Sequence, residues 1–143
     1  KLTIGGDGKL LNELQTQSHE LGVSERVDFP GWVDAIAVIQ SVDILVMPSH
    51  REGFSYVLLE ALQLEKLVVS TNTGFAPDIL PREYLVDPGN PQAIAEKVNA
   101  ICQDVEKART DFKRSWELAH SLTIEKMVRE TENVYNRLLT GAS

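Results

Sequence analysis

Apolar positions along the chain switch between short unbroken runs and helical spacing. The segment "KLTIGG" is a strand-like run ending in glycines, and "KLLNELQTQSHELG" follows with Leu10, Leu11, Leu14 and Leu21 spaced along one helical face. A second strand is expected around Val27 to Phe29, closed by Pro30 and Gly31, and a short helix from about Asp34 to Ser41. The run "DILVMP" then suits a strand buried on both faces. "SYVLLEALQLE" returns to helical spacing with Val57, Leu58, Ala61 and Leu62 on one face, and "KLVVST" is again a β-branched run. "FAPDIL" reads as a short helix and "EYLVDP" as a last short strand. "NPQAIAEKVNAICQ" reads as a helix with Asn90 as N-cap and Pro91 at its first position. From Val105 to Leu139 the pattern is polar and helical, broken at Ser121 to Thr123, where Thr123 can cap a final helix.

Strand–helix alternation of this kind implies parallel strands joined by helical crossovers, so the expected fold is α/β, a doubly wound, Rossmann-like parallel sheet followed by a C-terminal helical segment. Ligands of such sheets bind beyond the carboxyl ends of the strands. That directs attention to "GGDG", "PGWVD", "PSHREGFS", "TNTGFAP" and "DPGN".

Composition narrows the ligand. At 143 residues, with 43% hydrophobic and 24% charged positions, the chain has the makeup of one soluble globular domain. A formal charge of −7 argues against nucleic-acid or broad anionic-membrane binding, both of which need a basic surface. A small anionic ligand stays open, because helix N-termini hold phosphate without net positive charge. The single cysteine, Cys102, excludes an internal disulfide, fits a reducing cytoplasm, and reads as core on an apolar helix face. Lys1 begins directly in a strand-like run, which reads as a piece cut from a larger protein.

The segment after "DILVMP" carries the richest chemistry. Gly53 frees the backbone for close approach by a ligand, and Ser55 can cap the following helix, so the amides of Gly53, Phe54 and Ser55 suit a phosphate. Neighbouring His50 and Arg51 read as solvated. Glu60 falls five residues after Ser55, roughly 7–8 Å along a helix axis, too far to share one atom's chemistry with Glu52. Two carboxylates on either side of an anion-friendly turn suit a ligand with hydroxyls at both ends and phosphate between, the layout of a nucleotide sugar. That placement disfavours a glycosidase-type acid/base pair. The apolar surroundings of Glu60 suggest a buried carboxylate, which would cost several kcal/mol unless bonded. The "GGDG" turn is a weaker signal, balanced between a phosphate loop and a plain tight turn, with Asp28 as a candidate ribose-binding acid. Trp32 is balanced between base contact and packing.

Together "VDFPGWV", "SVDILVMPSHREGFSYVLLEAL", "KLVVSTNTG" and "LVDPGNPQAIAEKV" resemble the C-terminal, donor-binding domain of retaining glycosyltransferases of the GT-B fold, specifically glycosyltransferase family 4, from about Ile4 to the C-terminus. The most specific element is a pair of glutamates with seven residues between them, in the context Pro-Ser-x-x-Glu-Gly-Phe, matched by Pro48, Ser49, Glu52, Gly53, Phe54 and Glu60. The resemblance implies that Glu52 faces the donor hexose near the reacting centre as the catalytic residue and that Glu60 binds the ribose hydroxyls. It likewise places Gly53, Phe54 and Ser55 at the diphosphate and sugar, Gly31, Trp32 and Val33 at the base, and Gly6 near the donor phosphates.

The resemblance further implies hexose transfer from an NDP-sugar, with UDP or GDP as the nucleotide, to a glycan or lipid-linked acceptor, as in polysaccharide biosynthesis. Residues 1–143 would form the nucleotide-sugar-binding domain, truncated at its start, and 123–139 a crossover-type helix. Acceptor binding would lie in an N-terminal domain, and the basic Arg and Lys pair that neutralises the diphosphate would lie just upstream of the first strand. The fragment alone would then be inactive. No cofactor beyond the donor is expected, and no metal, since no Asp-x-Asp motif occurs. A cytoplasmic protein is implied, with peripheral association at the inner face of the membrane left open. "TGFAPDI" departs from the family pattern, with Phe75 in place of a second glycine and Asp78 in place of glutamate. Two alternatives stand beside this reading: an NAD-type dinucleotide-binding domain of an oxidoreductase using "GGDG" and Asp28, and a non-catalytic nucleotide-binding module.

Overall fold

The structure, a computed structural model, describes residues 1–141; Ala142 and Ser143, the end of the expected 1–143 domain, lie outside them. Two compact units follow each other along the chain, Lys1–Val42 and Asp43–Ser143.

The first unit contains β1 (Leu2–Gly5), α1 (Leu11–Glu20), β2 (Val27–Gly31) and α2 (Ala35–Ser41). The strands pair in parallel, Leu2 with Val27, Thr3 with Asp28 and Gly5 with Gly31, with a register shift between Thr3 and Gly5. Asp34 starts α2 by accepting the Ala37 amide at 3.2 Å. The expected apolar face of α1 is not buried. Leu10 and Leu21 are 61% and 67% exposed, and Ser18 is the buried residue of this helix. Helical spacing identified the helix correctly, but a two-stranded sheet offers it little surface to cover.

The second unit contains β3 (Ile44–Met47), α3 (Tyr56–Gln63), β4 (Leu67–Thr71), α4 (Ala76–Ile79), β5 (Leu85–Val86), α5 (Pro91–Gln103), α6 (Val105–Ser121) and α7 (Ile124–Thr140). Its sheet is parallel throughout, in the order β3-β4-β5, and each step along it is bridged by a helix. The architecture is α/β with Rossmann-like parallel pairing. β4 is the strand buried at every residue, whereas β3, expected to be covered on both faces, is half-buried throughout. β3 has β4 on one edge and forms the border of its sheet, which accounts for the difference.

The core lies between β4, α3 and α6. Leu58, Ala61 and Leu62 turn inward from α3, while Val57, expected with them, is 40% exposed. From α6 come Ala108, Phe112, Ser115, Trp116 and Ala119, all buried at helical spacing. Phe112 packs against Tyr84 and Trp116, at ring-centroid distances of 4.8 and 6.1 Å. Polar bonds fix the helix lengthwise: Ser115 Oγ donates to the Ile79 carbonyl at 2.6 Å, and Trp116 Nε1 to the Lys66 carbonyl at 3.1 Å. Gln63 Nε2 donates to the Ala119 carbonyl at 3.2 Å, which ties α3 to the end of α6. Cys102 is exposed, a correction to its expected place in the core; its neighbour Ile101 takes the inward position. Among the described residues no helix is long and apolar enough to cross a membrane.

Candidate functional site

β3 delivers the chain into the segment Pro48–Phe54, and Ser55 turns it into α3. Ser55 has extended backbone angles, is buried, and accepts the Leu58 amide on its hydroxyl at 3.3 Å, as an N-cap does. The amides of the first helical turn are thereby presented at the positive end of the helix dipole. Glu52, Gly53 and Phe54 are exposed just ahead of that turn, as are His50 and Arg51. Ser49 Oγ donates to Glu52 Oε2 at 3.3 Å, which narrows the directions open to the carboxylate.

Glu60 is the fifth residue of α3. It is half-buried rather than buried, and among the described residues its carboxylate accepts no hydrogen bond and joins no ion pair. The expected burial of this carboxylate is therefore not complete, and partial exposure removes the need for a protein partner. A half-exposed carboxylate keeps both oxygens available for hydroxyl donors.

The segment is held from beneath by the loop that follows β4. Thr71 Oγ1, buried, donates to the Ser49 carbonyl at 2.7 Å, and the Phe75 amide donates to the Gly53 carbonyl at 3.0 Å. Gly74 adopts a left-handed φ of 55°, and a Cβ there would stand 2.3 Å from the Gly53 carbonyl oxygen. The Phe75 ring lies 4.7 Å from that of Phe54, whose other side meets Tyr56 edge-on at 5.4 Å. Sequence reasoning noted Ser49 in the motif and Phe75 as a departure from the family pattern but gave neither of them, nor Thr71, a role at the site. Ser49 stands inside the quoted motif and the "TNTGF" turn follows a buried strand, so position was the available signal.

In the first unit, the pairing of β1 with β2 brings Gly6 to the turn containing Trp32 and Val33. The Gly6 amide donates to the Gly31 carbonyl at 2.7 Å, and both glycines have positive φ, 120° and 72°. A Cβ at Gly5 would approach Val33 Cγ2 to 2.8 Å, so the two turns fit against each other only with glycine there. Trp32 is 87% exposed, which removes the core-packing reading of that residue. Asp28 is the second of five residues in β2 and forms an ion pair with Lys1 at 2.7 Å. It sits toward the amino end of its strand, whereas a ribose-binding acid belongs beyond the carboxyl end, so the dinucleotide alternative loses its acid.

This chain is similar to known glycosyltransferases. It is 32% identical, over 94% of its length, to an uncharacterized glycosyltransferase of Methanocaldococcus jannaschii, of which it spans 36%. Among solved structures it superposes with a TM-score of 0.82 on sucrose-phosphate synthase from Thermosynechococcus elongatus, at 26% identity, covering 99% of this chain and 39% of that one. It superposes with a TM-score of 0.81 on Anabaena HepE solved in complex with UDP-glucose, at 27% identity, covering 92% and 40%. The chain thus spans well under half the length of these relatives. Residues 1–117 match the family described as glycosyl transferases group 1, and the chain belongs to that family, as a C-terminal domain of the GT-B type.

Proposed function

We propose that this chain is the donor-binding domain of a retaining glycosyltransferase of family 4, which moves a hexose from a nucleoside-diphosphate sugar to a glycan or lipid-linked acceptor. The observation that carries the reading is the arrangement around the capped start of α3. Glu52 is exposed before the cap with one oxygen held by Ser49, and Glu60 stands on the helix after it with no hydrogen-bond or ion-pair partner among the described residues. In this assignment Glu60 accepts the ribose hydroxyls, and the Gly53–Ser55 backbone meets the diphosphate. Glu52 accepts hexose hydroxyls and offsets positive charge developing at the anomeric carbon. Gly6, Trp32 and Val33 keep their assignment to the donor on the strength of their joined turns and the exposure of Trp32. α7, with no buried residue, is assigned as the crossover-type helix, and UDP or GDP as the nucleotide. The structure of HepE with UDP-glucose supports a nucleotide-sugar donor.

Titration of the full-length protein with UDP, GDP, their hexose conjugates and NAD tests the assignment. Glu60→Ala is expected to weaken the nucleoside diphosphate by about tenfold or more, the worth of a charge-assisted hydrogen bond. Glu52→Gln is expected to keep that affinity while kcat falls by about a hundredfold, the loss of one group that stabilises transition-state charge. NAD binding without response to any nucleotide sugar would sink the proposal.

A further inference from the structure

We infer that the end of β4 and the loop after it, Thr71 to Phe75, form the positioning element that aims Glu52 at the sugar of the donor. This rests on the donor reading above and adds residues that the reading does not require. Two backbone carbonyls of the Glu52 segment accept hydrogen bonds from Thr71–Phe75, and a third faces it. Ser49 O accepts the buried Thr71 hydroxyl at 2.7 Å, Gly53 O accepts the Phe75 amide at 3.0 Å, and both Glu52 O and Gly53 O face Gly74. A Cβ on Gly74 would stand 2.7 Å from Glu52 O and 2.3 Å from Gly53 O, distances that backbone atoms cannot accept without moving. Among the described glycines it is the one whose Cβ would meet main chain; Gly5 meets a valine methyl, and Gly89 a histidine ring at ordinary contact distance.

The consequence is geometric. With the carbonyls at 49 and 53 hydrogen-bonded and Gly74 lying close against the carbonyl of 52, the backbone on either side of Glu52 is restrained, and the main remaining freedom of Glu52 is in its own side chain. Ser49, itself held through its carbonyl, restricts that freedom by donating to Oε2 at 3.3 Å. The Phe75 ring against Phe54 closes the next residue of the segment in the same way. A pure packing role would contribute to folding alone. A positioning role would instead affect the hexose end of the donor and spare the nucleotide end, because Glu60 belongs to α3 and, among the described residues, shares no hydrogen bond with this loop.

The test is the ratio of affinities for UDP-glucose and UDP, and for GDP-mannose and GDP, in the full-length protein, with kcat measured alongside and melting temperature as the folding control. Gly74→Ala is expected to leave the nucleoside diphosphate within about twofold, to weaken the sugar conjugate by about tenfold, and to lower kcat by about a hundredfold, the scale of an ångström-level misplacement. Thr71→Val, which removes the hydroxyl at near-constant volume, is expected to act in the same direction, and Thr71→Ser to restore the ratio. If Gly74→Ala does not fold, the Thr71 pair decides. The inference is overturned if wild type shows a hexose increment and these variants keep it, or if Thr71→Ser loses as much as Thr71→Val. A wild type that binds none of the four probes overturns the donor reading itself, a different outcome.

Discussion

Glu65 stands in a backbone conformation made for another residue. Its φ is 54°, the one positive value among the described non-glycine residues, and it is the second residue after α3, following the C-cap Leu64. The turn is a left-handed helix end: the Glu65 amide donates to the Leu62 carbonyl at 3.0 Å and the Lys66 amide to the Ala61 carbonyl at 2.9 Å. Holding an L side chain there costs about 1–3 kcal/mol, against about 0.5–1 kcal/mol for the extra chain entropy of glycine. The Glu65 carboxylate gains little in return, since His120 Nε2 lies 3.8 Å away and both groups are more than half exposed. Glu65→Gly is therefore expected to stabilise the fold by about 1 kcal/mol, read as a higher urea midpoint at unchanged slope. A lower midpoint would show that the turn is not strained as its φ implies. Local sequence gave no warning of this position, because nothing in "QLEKL" separates a left-handed residue from an ordinary helix end.

Elements were legible wherever their determinants are local. The caps Ser55, Asn90 and Thr123 each accept the amide three residues on, at 3.3, 3.0 and 3.2 Å, as their positions before apolar-periodic runs indicated. Ser55→Ala is expected to cost about 1 kcal/mol in thermal unfolding, and to cost more than Thr123→Ala, whose cap is solvent-exposed. The buried stripe of α6 was not legible. Its members include Ala108, Ser115 and Ala119, whose small side chains give a weak apolar signal, and its anchors lie up to 56 residues away, as in the bond from Gln63 to Ala119. The same helix holds a titratable cluster: Lys107 Nζ lies 2.6 Å from Asp111 Oδ2, and the Tyr84 hydroxyl donates to that oxygen at 2.9 Å. Both bonds, that from Lys107 foremost, hold the Asp111 carboxyl below its usual range. A carboxyl depressed in the folded state contributes stability in full above its unfolded value of about 4 and loses it as pH falls through the folded value. The melting-temperature gap between wild type and Asp111→Asn should thus be constant from about pH 7 to 5 and close below about pH 4. A gap that widens on acidification would contradict this assignment.

Across the whole molecule, burial is unevenly shared. In Lys1–Val42 the buried residues are Ser18 and Ile39, whereas β4, α3 and α6 in the second unit supply most of the fully buried side chains. α7 buries none of its residues, although Ile124, Met127, Val128, Val134 and Leu138 repeat at helical spacing. Apolar periodicity thus marks which face of a helix is suited to burial, and a neighbour must be present for that burial to occur; α1 and α7 both show the distinction. Local stability follows buried contact, since segments with few buried apolar contacts open at low free energy and the core opens with the global transition. Amide exchange measured on this chain should accordingly be slowest in Leu67–Thr71 and along the inner face of Val105–Ser121. Exchange in Ile124–Thr140 and Leu11–Glu20 is expected to be faster by about a hundredfold or more. The loop Thr71–Phe75 gives the sharper discrimination: the Phe75 amide, bonded to Gly53 and next to the fully buried strand, should exchange with the core and not with the exposed helices. Fast exchange at Phe75 alongside slow exchange at Val69 would mean that the Glu52 segment swings free of the β4 loop in solution, and the restraint inferred for that carboxylate would fail with it.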